Sequence, residues 1–124
     1  MKARLKNKSS FPKKELKKLT RFVLDFLKCK KKVKITVFNA RADGGEECRR
    51  RIKIWLPKKA WPRSGNTGRH KNFPHYLIKD WKEGYVAILA HEVVHALGAP
   101  GTRKGEWLCE VNACATLLTY RSLQ

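Results

Sequence analysis

The chain has 124 residues, enough for one domain with a sizeable core, and its 42% hydrophobic content sets it apart from disordered sequences. Its 29 Lys and Arg against 10 Asp and Glu give a formal charge of +19, which points to polyanionic partners or to a strongly solvated surface. No run approaches the roughly 20 apolar residues of a membrane span, and no apolar stretch of signal-peptide length follows the basic N-terminus, so a membrane protein is excluded and a cytoplasmic monomer is expected.

The charge is uneven. Residues 1–82 hold 26 of the 29 bases and 6 of the 10 acids, leaving the last third close to neutral. Residues 1–11 are a candidate disordered basic tail. Residues 12–28 then place Leu16, Leu19, Phe22, Val23, Phe26 and Leu27 at helical spacing, opposite a face of Lys13, Lys14, Lys17, Lys18 and Arg21. Val33, Ile35 and Val37, and again Ile52, Ile54 and Leu56, alternate with polar residues as half-buried strands do. Asp43-Gly44-Gly45 between them predicts a turn, hence an antiparallel hairpin with a long loop.

Residues 57–75 carry Pro57, Pro62, Pro74, Gly65 and Gly68 and are expected to form an irregular loop bordering a cleft, followed by a short strand over His75–Ile78. Asp80 suits the N-cap of a helix over 81–97, apolar on nearly every side and therefore buried, which Gly98 and Pro100 end. A last helix is expected over 106–123. Cys29, Cys48, Cys109 and Cys114 show no C-x-x-C pairing and read as free thiols. All of this fits a single α+β domain over 1–124: an N-terminal helix, a small antiparallel sheet, then two helices.

His91-Glu92-Val93-Val94-His95 puts two imidazoles four apart on one face of the buried helix, a spacing that lets both grip one cation. Zn2+ in open sites takes three protein ligands, two His and one Glu among the known sets. No histidine follows His95, so the third ligand should be Glu106 or Glu110. Glu110 is favoured, because Ala113 one turn later lets the last helix approach the His helix closely; Glu106, near a helix start, is accounted for by the helix dipole alone.

His91-Glu92-Val93-Val94-His95 followed by Glu110-Val111-Asn112-Ala113 resembles the gluzincin clan of zinc metallopeptidases, and in size the chain is similar to minigluzincins and small SprT-like domains. The resemblance implies a zincin-like fold in which His91, His95 and Glu110 bind zinc and Glu92 is the general base of peptide-bond hydrolysis. It departs at Cys114, where many gluzincins carry an acid that orients a ligand histidine. The oxyanion of such a reaction needs a donor, and His75, Tyr76, Tyr85 and Tyr120 are candidates, with His75 preferred for its place beside the cleft.

The basic residues of 1–82, interleaved with Trp55, Trp61 and Phe73 near Lys58, Lys59, Arg63, Arg69 and Lys71, suggest a nucleic acid or other polyanion as partner. Two functions therefore compete. One is a zinc metallopeptidase acting on peptide or protein substrates, among them substrates associated with nucleic acid. The other is a basic nucleic-acid- or ribonucleoprotein-binding protein with a structural or vestigial zinc site.

Overall fold

The computed structural model describes residues 3–65 and 74–124, and the elements run in the order β1 (Ala3–Asn7), α1 (Lys13–Phe26), β2 (Val33–Asn39), β3 (Gly44–Cys48), β4 (Arg51–Leu56), β5 (Arg63–Ser64), β6 (Leu77–Ile78), α2 (Trp81–Ala96) and α3 (Arg103–Ser122). The architecture is α+β, with three helices, a four-stranded mixed sheet in the order β1-β2-β4-β3 and a two-stranded antiparallel sheet of β5 and β6. Among the described residues no helix is long and apolar enough to cross a membrane.

The sheet corrects the expected antiparallel hairpin. β2 and β4 run parallel, in register from Lys34↔Arg51 to Asn39↔Leu56, and β3 lies outside β4, antiparallel to it. The 39–48 segment thus contains a strand. Gly44-Gly45-Glu46-Glu47-Cys48 lacks apolar alternation because its inward positions are Gly45 and Glu47, opposite Ile54 and Ile52, and a Cβ on Gly45 would lie 2.7 Å from Ile88 Cγ2 and 3.0 Å from Glu92 Oε2. The two-residue turn into β4 is Arg49-Arg50, both with positive φ, where Asn-Gly is the usual signal.

The N-terminal segment is a second correction. Residues 3–7, read as part of a basic tail, form β1 and pair in parallel with β2, α1 serving as the crossover. Leu5 and Ala3 supply too little alternation to announce a strand; it is the open edge of β2 that recruits them. The irregular loop expected over 57–75 likewise holds β5, which pairs with β6, so the strand expected over 75–78 joins this small sheet and not the main one. Residues 66–73 of that loop, with Gly68, Arg69, Lys71 and Phe73, lie outside the described residues.

One face of the main sheet carries Ile35, Val37, Ile52, Ile54 and Leu56 into a single core with Leu16, Leu19 and Val23 of α1, Tyr85, Val86, Leu89 and Val93 of α2, and Leu117 of α3. At about 25 cal/mol per Å² of apolar surface removed from water, this shared core is the main favourable contribution to folding. α2 is buried on nearly every side, as its composition requires, and packs most extensively against α3, where fully buried Ala113 permits the close approach. Asp80 caps α2 by accepting from Glu83 N at 2.9 Å, and Gly98 at φ 122° ends it. Thr102 caps α3, and Gly105 has no room for a Cβ, which would lie 1.9 Å from the Pro100 oxygen. These two ends fix how the last helix folds back across the histidines.

Candidate metal centre

His91 and His95 project from α2 toward α3, and each commits its Nδ1 to an acceptor. His91 Nδ1 lies 2.8 Å from Glu110 Oε1, and His95 Nδ1 lies 2.8 Å from the Ala99 carbonyl oxygen at the end of α2. Because a carbonyl only accepts, Nδ1 of His95 carries its proton; the Glu110 carboxylate asks the same of His91. That leaves both Nε2 atoms turned to one carboxylate: Glu106 Oε2 lies 3.0 Å from His91 Nε2, and Glu106 Oε1 lies 2.8 Å from His95 Nε2.

The two glutamates on α3, one turn apart, therefore do different things. Glu106 spans the pair of Nε2 atoms, whereas Glu110 sits behind His91 and also accepts from the Tyr76 hydroxyl at 2.9 Å. Glu110, expected as third ligand, meets Nδ1 of His91, and Glu106 is the carboxylate that faces both Nε2 atoms. The signal was available in the Glu106-x-x-x-Glu110 spacing, which presents two carboxylates on one helix face.

Cys109 was not singled out from the sequence, yet its Sγ and the ring nitrogens of His91 and His95 lie within 4.8 Å of one another, a group that can hold a metal ion. The thiol is fully buried; burial, then the neighbouring Glu106, Glu92 and Glu110, push its pKa up to about 12. Cys29, Cys48 and Cys114 are free as expected.

Glu92 is 7% exposed and lines a cleft with His91, Glu110, Tyr76, Gly44, Gly45 and Arg63. Burial raises its pKa, helped by Glu106 and Glu47 and opposed by His91 and His95. His91 is pulled down by burial but raised on balance by its Glu110 hydrogen bond and by the charges of Glu92, Glu110 and Glu106. Arg63 pairs with Asp43 at the rim of the cleft and lies over the Trp61 ring, 5.8 Å from its centroid.

Of the four candidate oxyanion donors only Tyr76 lines this cleft. His75 is exposed and is not among the lining residues. Tyr85 is fully buried in the core, its hydroxyl 2.6 Å from Thr20 Oγ1, and Tyr120 packs on Phe22 at 5.8 Å between ring centroids. Burial, then Glu110, raises the Tyr76 pKa, so its hydroxyl stays a proton donor.

No protein-family model matches the chain, and no curated protein matches it.

Proposed function

We propose that the chain is a zinc-dependent metallohydrolase of peptide bonds, with His91, His95 and Glu106 holding the metal and Glu92 acting as general base. The observation that carries this reading is the carboxylate of Glu106 lying 3.0 and 2.8 Å from two Nε2 atoms whose Nδ1 partners are already taken. With both Nδ1–H groups committed, each Nε2 faces a carboxylate oxygen across a gap that a proton or a cation fills. The same carboxylates that favour positive charge at His91 favour a divalent cation between the two rings, and two imidazoles with one carboxylate suit zinc. Zinc bound there supplies Lewis acidity, lowering the pKa of water and polarising a carbonyl.

The chain's own residues supply the rest. Glu92, with its pKa raised by burial, accepts the proton of the attacking water at a carboxylate oxygen and delivers it to the departing amine. Glu110 fixes the His91 ring and its tautomer, as outer partners of metal-binding histidines do. Tyr76 lines the same cleft and gives its one hydroxyl proton to Glu110, holding the carboxylate that orients His91. The Gly44-Gly45 end of β3, a sheet edge, lines the same cleft, so an extended peptide can add to that edge and present its backbone to Glu92.

The deciding experiment is Glu92→Gln in the zinc-loaded protein, assayed on a quenched-fluorescence peptide library. Hydrolysis should fall by about 10²–10⁴, the usual share of a general base, while bound zinc stays stoichiometric. Cleavage by this variant at the wild-type rate ends the peptidase reading.

Cys109 favours a second reading. If its sulfur joins the two histidines and Glu106, four protein donors close the site and the metal braces α2 against α3. The three-ligand set leaves a coordination position for water, which hydrolysis requires and the closed set does not provide. Cobalt substitution separates the two: thiolate-to-cobalt charge-transfer absorption that vanishes in Cys109→Ala indicates the closed site.

A further inference from the structure

The face of the main sheet turned away from the helices is lined by cations in register. Arg4 of β1 is opposite Lys34 of β2, which is opposite Arg51 of β4, all three exposed, so like charges stand side by side across three strands. Such an arrangement is unfavourable by itself and becomes favourable when an anion is laid across it. The turn at the same end deepens the field. Arg49 and Arg50 take φ of 51° and 65°, the left-handed region that favours glycine, and with Arg4, Lys34 and Arg51 they line one pocket. Strained positions given to arginines, where asparagine and glycine would fit without cost, mark a turn kept for its side chains.

The other end of this face is aromatic. Phe38 and Trp55, half-buried and paired in register, stack with ring centroids 6.0 Å apart and planes 18° off parallel. Lys8 lies over the Phe38 ring at 5.7 Å. Gly44 is the register partner of Trp55 on β3, leaving the indole without a side chain beside it on that strand. Glu46 is the acid on this face, and Lys53 holds it at 3.7 Å.

We propose that this sheet face binds single-stranded nucleic acid, its phosphates on the Arg4–Lys34–Arg51 row and the Arg49-Arg50 turn and its bases on Phe38 and Trp55. A cationic row alone would fit any polyanion. A stacked aromatic pair on an open sheet, flanked by cations, selects a strand whose bases are unpaired and free to stack. Of the aromatics expected to stack, Trp55 is on this face, while Trp61 donates to the Pro57 carbonyl at 2.9 Å and packs over Gly84. Phe38 is the partner the sequence did not announce. The face is opposite the one that meets Glu92 through Gly45, so the proposal does not rest on the metallohydrolase reading.

The test is fluorescence anisotropy of the full chain with a labelled mixed-sequence 20-mer, as single strand and as duplex, and with heparin as competitor, at about 50 mM salt and upward. The single strand should bind more tightly than the duplex, with affinity falling linearly on a log–log salt plot. Trp55→Leu should weaken it about tenfold and Trp55→Phe should restore most of the loss, a pattern that a packing defect would not produce. Lys34→Ala with Arg51→Ala should lower the single-strand salt slope by about 1.4. Glu92→Gln and metal removal should leave single-strand affinity unchanged. Equal binding of duplex and single strand with Trp55→Leu neutral, or no binding at about 50 mM salt, overturns the proposal.

Discussion

Glu106 and Glu110 are chemically identical and one helical turn apart, so their difference is wholly one of which nitrogen each meets. Glu106 faces Nε2 of both histidines, and Glu110 faces Nδ1 of His91. Glu106→Gln should abolish stoichiometric zinc binding in a competition assay against a chelating dye. Glu110→Gln should retain zinc with affinity reduced about 10- to 100-fold, the usual cost of losing an orienting partner. The reverse ranking would restore Glu110 as ligand. Gly45 belongs to the same scale: a methyl there meets both Ile88 and Glu92, so the glycine keeps the strand close enough to hold the carboxylate at the cleft.

Among the elements, α2 is held by two polar contacts that its apolar composition conceals. Thr20 Oγ1 donates to the Leu16 carbonyl at 2.6 Å, so the buried Tyr85 hydroxyl must donate to Thr20. Removing the two partners should then have unequal effects. Thr20→Val strands a buried hydroxyl and should cost about 2–3 kcal/mol in chemical denaturation, whereas Tyr85→Phe removes only the donor and should cost about 1 kcal/mol. The second contact joins α2 to α3: buried Glu83 accepts from Arg121 Nε at 3.0 Å and Nη2 at 2.8 Å, and from Lys79 N at 2.9 Å. Although burial alone would raise the Glu83 pKa, Arg121 and the Lys79 amide lower it. A carboxylate with a lowered folded-state pKa contributes stability above its unfolded pKa and loses it as pH falls through the folded one. Arg121→Ala should therefore cost about 3 kcal/mol at pH 7, and the gap from wild type should close below about pH 4 in thermal melts.

At the level of the whole molecule, the candidate metal centre and the cationic sheet face lie on opposite sides of β3 and β4, which gives each its own response to solution conditions. Chelation should lower the melting temperature at any salt concentration, because a ligand of the folded state at 1,000 times its dissociation constant contributes about 4 kcal/mol. Scanning calorimetry with and without chelator checks this, and an unchanged melt would mean that α2 and α3 do not share a metal. Added salt at fixed metal should have a smaller and opposite effect. It screens the repulsion among Arg4, Lys34 and Arg51 and so stabilises the chain.

The amino-acid sequence by itself determined α1 and the two inner strands through a 3.6- or 2-residue apolar period, so that α1, β2 and β4 lie where Leu16, Val23, Ile35 and Ile54 put them, and it determined α2 through an apolar run bounded by Asp80 and Gly98. It also presented His91, Glu92 and His95 together, since spacing along one helix requires no tertiary knowledge. Tertiary structure alone decided β1 and β3, whose residues are ordered by a neighbour's open edge and not by their own alternation. It likewise decided which histidine nitrogen each of Glu106 and Glu110 meets, that Cys109 lies beside both rings, and that Tyr76 lines the cleft while His75, Tyr85 and Tyr120 do not. Which nitrogen a carboxylate reaches depends on how Gly98 and Gly105 fold α3 back on α2, and no local pattern encodes that crossing.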